Sequence, residues 1–321
     1  MCYFFPAAWT KDGQGTPTNY VLSVTDQSFI GKMYPFRTRN EGQYRIEGGP
    51  KTLNSRLIHF STPYLEAPNM VLGLNELDEG CGANIRIKVQ TDGIEKRDGN
   101  DFKLNLDTWS DSKLYGAGAT WLEFAGNESE FQVGEFDTLT DRPIIELATP
   151  DKSGVRADVK KFTFPAGTFA SEPNVVVWLK ALDISKEANW RVRAVGREVK
   201  AEGFELAIES WADTRLYSAT ASWVAYPKGQ TGVYSGIVNT LDSRGWWPPV
   251  AENCGKVTFP TSYDRDPRVF AAISYLDMDS ARNLRIKGFV DRVSQDGFVW
   301  HADTWSDSVL YSAGLNWISF G

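Results

Sequence analysis

One arginine and two tryptophans recur together at fixed spacing, three times, along this 321-residue chain. Arg86, Arg191 and Arg285 are followed 23, 20 and 20 residues later by Trp109, Trp211 and Trp305. Six residues after each Trp stands a Tyr, at 115, 217 and 311, and six beyond that a second Trp, at 121, 223 and 317. An indole face and a guanidinium neither attack a substrate nor readily move protons. Side by side they form an apolar platform flanked by charge-assisted hydrogen-bond donors, which is the chemistry of recognition. Catalytic patterns are missing. The two histidines, His59 and His301, are not repeated between units, and the sequence shows no Gly-rich phosphate loop, no close His/Cys metal spacing and no Ser-elbow motif. The chain is therefore expected to be no enzyme and to use no cofactor or metal.

The elements that hold these residues repeat with them. Leu77-Asp78, Leu182-Asp183 and Leu276-Asp277 each precede the Arg, with eight residues from Asp to Arg. The Arg lies in "NIRIKV", "NWRVRAV" or "NLRIKGFV", and the Trp opens "TWSDSKLYGAGATWLEF" or its counterparts. Further upstream, Phe60, Phe164 and Phe259 align the units, and Gly31, Gly134 and Gly236 mark the expected first strand of each. The extra three residues between Arg86 and Trp109 fall in "KRDGND", which reads as a lengthened hairpin turn. Apolar and polar residues alternate over five to eight positions, broken by Gly, Pro, Asn and Asp, with no helical period. The reading is all-β: three tandem six-stranded antiparallel β-sandwiches, over 1–125 with an N-terminal extension, 126–227 and 228–321.

Period-two alternation assigns the faces. Phe102, Leu104 and Leu106 share one parity, and Trp109 falls on the other with Lys103, Asn105 and Asp107. Trp211 falls likewise with Glu205 and Glu209, and Trp305 with His301 and Asp303. Arg86 alternates against Ile85, Ile87 and Val89, so it too points outward. The second Trp of each unit has core parity. A repeated Trp is also a common core residue, and a bulge would reverse the assignment. Asp78, Asp183 and Asp277 read most simply as turn caps. An outward indole beside an outward guanidinium suits a sugar, whose CH face stacks and whose hydroxyls need charged partners. The same two residue types dominate protein–protein hot spots, so a structural or self-assembly module is the competing reading.

The totals narrow the partners. A formal net charge of −7 argues against nucleic acid or an anionic membrane, both of which demand a basic face. No apolar run is long enough to span a bilayer, and the N-terminus lacks the features of a signal peptide. Cys2, Cys81 and Cys254 cannot all pair and sit at unrelated points of the repeat. The expectation is a cytoplasmic protein without a disulfide framework, or one released by a non-classical route.

In "FxxPxVxxxxxxLD", "NLRI", "GF" and "TWxDTxxYSxxxxWI", the chain resembles the H-type lectin family, the sandwich domain of snail agglutinins and of the discoidin C-terminal region. That resemblance implies non-catalytic binding of N-acetylgalactosamine or galactose at sites near the contacts of a trimer. By position it makes Arg86, Arg191 and Arg285 hydroxyl ligands. Trp109, Trp211 and Trp305 become the apolar platform with Ser110, Ala212 and Ser306 beside them, while Tyr115, Tyr217 and Tyr311 line the neighbour's contact. The family's His after the Trp is here Ser, Ala and Ser. Its acidic ligand has only candidates: Glu47, Asp151 or Asp158, and Glu252. Three copies in one chain, joined by short linkers that hold each unit at high effective concentration, imply an intrachain pseudo-threefold trimer with up to three glycan sites. Pairing of two such chains would imitate the family's double trimers.

Overall fold

A computed structural model describes residues 44–45 (backbone), 52–60, 64, 66–93, 101–126, 128–143 and 147–321. Alternate burial shows why the segments become strands. In β4 (Ile85–Asp92), Ile85, Ile87 and Val89 are buried while Arg86, Lys88 and Gln90 are not. The same alternation opens β10 (Trp190–Lys200) and β16 (Leu284–Ser294). Unit one adds β1 (Tyr44–Arg45), β2 (Ser55–His59), β3 (Asn69–Glu79), β5 (Asp101–Asp107) and β6 (Leu114–Phe124). Unit two adds β7 (Gln132–Asp137), β8 (Arg156–Thr163), β9 (Asn174–Ile184), β11 (Gly203–Ser210) and β12 (Leu216–Tyr226). Unit three adds β13 (Val233–Asn239), β14 (Cys254–Thr258), β15 (Arg268–Met278), β17 (Gly297–Asp303) and β18 (Leu310–Phe320). The expected first strand about Gly31 lies outside the described residues, as does most of the "KRDGND" turn. Among the described residues the strand in the first position is β1, with Tyr44 opposite Ala119. No helix is long and apolar enough to cross a membrane among them.

Each unit thus contributes six strands, but the sheets do not stop at its boundary. Three six-stranded sheets run β1-β6-β3-β16-β17-β14, β13-β18-β15-β10-β11-β8 and β2-β5-β4-β9-β12-β7. Every sheet is half one unit and half another. The seams are antiparallel: β4 with β9, β10 with β15, and β16 with β3. Unit one therefore pairs with two, two with three, and three with one, and the cycle closes. The three tandem sandwiches expected from the sequence are present, with their sheets continued from one unit into the next. An isolated unit would leave the edges of β3 and β4 with unpaired N–H and C=O groups, and strand pairing with the neighbours satisfies them.

Within a unit the two half-sheets face each other through one repeated aromatic pair. Phe102–Trp121, Phe204–Trp223 and Phe298–Trp317 meet edge to face, with centroids 5.6, 5.0 and 5.1 Å apart. The second Trp of each unit is buried, as its parity required. Its indole lies over the first strand: a Cβ on Gly134 or Gly236 would come within 2.7 or 2.9 Å of the Trp ring. Glycine at those two positions is a packing requirement.

A second apolar cluster joins all three units, with Val71, Leu122 and Phe124 from unit one, Val176 and Trp178 from unit two, and Phe270, Ala272 and Ile318 from unit three. At its centre three equivalent positions converge, each four residues before the Leu of the Leu-Asp anchor: Gly73, Trp178 and Ala272. A Cβ on Gly73 would stand 2.5 Å from the Ala272 Cβ and 2.9 Å from the Trp178 Cβ. The Trp178 indole N–H donates to the Asn316 carbonyl at 2.7 Å, tying unit two to unit three.

Candidate functional site

The seams place the repeated Arg between two carboxylates. Cross-seam register sets Arg86 opposite Asp183, Arg191 opposite Asp277 and Arg285 opposite Asp78. The corresponding Nε–Oδ1 distances are 3.4, 3.3 and 3.3 Å. Reading these Asp residues as turn caps is therefore corrected: they lie within strands and meet the neighbouring unit's guanidinium. On its other side each Arg binds its own unit's turn, with Nη1 donating to Asp111, Asp213 and Asp307 at 2.6, 2.6 and 2.7 Å. The Arg side chains are only 15–17% exposed. The hydrogen bonds from Arg86 and Arg285 hold the carboxyls of Asp111 and Asp307 below their usual range. Desolvation pushes Asp183 and Asp277 up, against the pull of Arg86 and Arg191.

That turn is built the same way three times. Ser112, Thr214 and Ser308 donate their amides to the carbonyls of Trp109, Trp211 and Trp305. The residue after each Trp takes the left-handed conformation, with φ of 59° at Ser110, 54° at Ala212 and 61° at Ser306. Non-glycine residues there cost on the order of 1 kcal/mol and persist where the surroundings over-determine them. Here the Ser or Thr hydroxyl supplies that constraint. Ser112 donates to the Asn84 carbonyl, Thr214 to Asn189 at 2.5 Å and Ser308 to Asn283 at 2.6 Å. The same three Asn side chains latch the seam, accepting at 3.2 Å from the amides of Lys186, Ser280 and Cys81 of the neighbouring unit.

Trp109, Trp211 and Trp305 are half-buried beside these turns, and Ser110, Ala212 and Ser306 are exposed. Tyr115, Tyr217 and Tyr311 do not join the Arg and Trp of their own unit. They lie on β6, β12 and β18, next to the strands that carry the Asp side of a seam. Tyr115 packs by Gly80, just past β3. Burial raises the pKa of the Tyr311 hydroxyl, opposed by the Asn189 side chain and the Arg191 charge of unit two. Each seam thus draws Arg, Trp and the following residue from one unit, and Asp and Tyr from the next.

The seams differ where the residue two after the Arg faces the residue before the Leu. Lys88 pairs with Ala181, Arg193 with Tyr275 and Lys287 with Glu76. Trp211 lies on the Tyr275 ring, centroids 5.2 Å apart, with the Arg193 guanidinium 5.9 Å from the indole. Lys287 instead reaches Glu76 at 3.5 Å. Sequence reasoning missed the turn Asp and the seam Asn, though both repeat visibly in "WSD"/"WAD" and before each "R". Of the acidic candidates, Glu47 lies outside the described residues. Asp151 caps its own loop, accepting from the amides of Ser153 and Val155. Asp158 is held in a two-point pair by Arg142 at 2.7 and 3.0 Å. Glu252 is exposed near Asp303. Among the described residues no His, Cys, Asp and Glu cluster fits a metal, and Cys81 and Cys254 are free thiols.

Comparison with known proteins adds three findings. A protein of Fuscovulum blasticum described as "ATP synthase subunits region ORF 7" is 32% identical over 63 residues, which is 20% of this chain. The match spans 54% of that protein's length. Two structures of discoidin II from Dictyostelium discoideum are similar at 15% identity, covering 51% and 53% of this chain and 74% of theirs, each with a TM-score of 0.25. The profile of the H-type lectin domain matches three times, over residues 55–123, 159–226 and 255–320, one match in each unit. With most of its length covered by those three matches, the chain belongs to the H-type lectin family.

Proposed function

We propose that this protein is a non-catalytic lectin that binds N-acetylgalactosamine- or galactose-type glycans at up to three sites, one per seam. The observation that supports it most is the repeated juxtaposition of a half-buried Trp, an exposed left-handed residue and an Arg whose exposed carboxylate partner faces solvent. The indole stacks on the apolar face of a pyranose, while the Asp of the turn and the guanidinium accept from and donate to its hydroxyls. Ala212 offers no polar atom where Ser110 and Ser306 do, so the seam between units two and three relies on its aromatic groups. The cyclic strand pairing supports a pseudo-threefold relation among the sites. A glycan array tests the function: galactose-type glycans should bind above background, and Trp305→Ala should remove one site. An array without any signal above background would overturn it.

One observation favours self-assembly instead. The three Arg residues bridge adjacent units through Asp183, Asp277 and Asp78, which is a structural role in itself. If assembly is the whole function, the glycan array gives no signal above background.

A further inference from the structure

The largest exposed aromatic surface among the described residues belongs to one loop of unit three. Trp246 and Trp247 are 61% and 63% exposed, yet the loop that carries them is anchored at both ends. Arg244 donates to the carbonyls of Gly245, Tyr311 and Leu310 at 2.8, 3.0 and 3.2 Å and to Asn253 Oδ1 at 2.5 Å. Asn253 in turn donates to the carbonyls of Val250 and Ala302, each at 3.0 Å. Two indoles held outward on a fixed loop present apolar surface that folding leaves uncovered. They are also continuous with the seam between units two and three. Trp246 meets Tyr311 edge to face at 6.0 Å and Trp247 at 6.0 Å. Tyr311 lies on β18, next to the β15 strand that forms this seam with β10, and Trp211 lies on Tyr275 in the same seam.

Among the described residues, the other two seams lack the Tyr275 ring. Tyr275 is replaced there by Ala181 and by Glu76, the latter already engaged by Lys287. In sequence, Ile144-Ile145 follow Arg142-Pro143 where Trp246-Trp247 follow Arg244-Gly245.

We propose that the seam between units two and three is an extended glycan site, in which Trp211, Tyr311, Trp246 and Trp247 bind successive sugar rings of a linear oligosaccharide. The inference rests on the lectin reading and adds which seam selects chains over single sugars. The Trp247, Trp246 and Tyr311 rings follow one another at 6.0 Å, a step comparable to one sugar ring, which suits an unbranched neutral chain. The chain's formal charge of −7 disfavours an anionic one.

The test is calorimetric titration of the full chain with galactose and with a linear tetrasaccharide of alternating galactose and N-acetylglucosamine. The tetrasaccharide should bind one site at least about tenfold more tightly than galactose, or about 1.4 kcal/mol. The double variant Trp246→Ala/Trp247→Ala should bring that ratio to near one, and Trp246→Phe/Trp247→Phe should keep most of it. A ratio near one in the wild type with galactose bound, or one that survives the alanine pair, overturns this inference alone. Neutral phosphatidylcholine vesicles bound through the two Trp, with the ratio unaffected, would assign the loop to lipid and overturn it as well. If neither sugar binds, the lectin reading falls and this inference with it.

Discussion

Glu79 ends β3 inside unit one, where its equivalents in the other units are Ile184 and Met278. It is fully buried; Oε1 accepts from the Arg86 amide at 3.2 Å and from Thr108 Oγ1 at 3.4 Å, while Oε2 is buried without a hydrogen-bond partner. Desolvation pushes its carboxyl from 4.5 up to about 8, opposed by the Arg86 amide, Thr108 and the Arg86 charge. The folded protein therefore holds this proton between pH 4.5 and about 8, and the unfolded chain releases it. A raised folded pKa means that stability is fully present below the unfolded value and is lost as pH rises towards the folded one. Each pH unit in that window costs about 1.4 kcal/mol, so from pH 4.5 to 7 the loss is about 3 kcal/mol. Glu79→Met, which installs the side chain of unit three, removes this dependence. Urea unfolding of both proteins at one-unit intervals from pH 4.5 to 8.5 isolates it, because the other carboxyls cancel in the difference. The advantage of the Met variant should grow by about 3 kcal/mol between pH 4.5 and 7 and level off above 8. A difference that stays constant across this range would mean that Glu79 is ionised in the folded state, and the burial argument would fail.

The two tryptophans of each unit should separate in the same assay. Trp317→Ala should cost about 3–5 kcal/mol by emptying the space between half-sheets, whereas Trp305→Ala should cost under about 1.5 kcal/mol; equal losses would contradict the face assignment. Trp178→Ala removes the one indole where the three units converge and should cost about 3–5 kcal/mol with a cooperative transition retained, unless the neighbouring chains collapse into the space. Arg86→Met strands Asp183 at its seam and should cost about 2 kcal/mol near neutral pH, less in acid where Asp183 takes up a proton; a loss that grows on acidification would refute the pairing.

The repeat, the strands and the outward face of Trp109, Trp211 and Trp305 were legible because period-two alternation is local: a few residues decide it. The same parity marked Arg86 as outward, correctly for its own sheet. It could not show that outward at a sheet edge means inward to a neighbour. The Leu-Asp and Arg anchors were each visible, but Asp78 and Arg285 are 207 positions apart in the chain, and only strand pairing between units brings them together. Tyr115, expected at a neighbour's contact from the resemblance, stands six residues from Trp109 in sequence and lies beside a different seam. Asp158, a candidate ligand by type and position, has both carboxylate oxygens paired with Arg142, a partner its own sequence neighbourhood did not announce.

The meeting of Gly73, Trp178 and Ala272 gives the three units addresses. Identical copies could exchange segments freely, since each would fit wherever another had stood. Once one copy holds the indole and its sisters have shrunk to make room, exchange is penalised. A recombinant with two tryptophans there overfills the centre, and one with none leaves a hole. Sequence drift at a single point thus protects the individuality of each seam, leaving the three free to specialise towards different ligands.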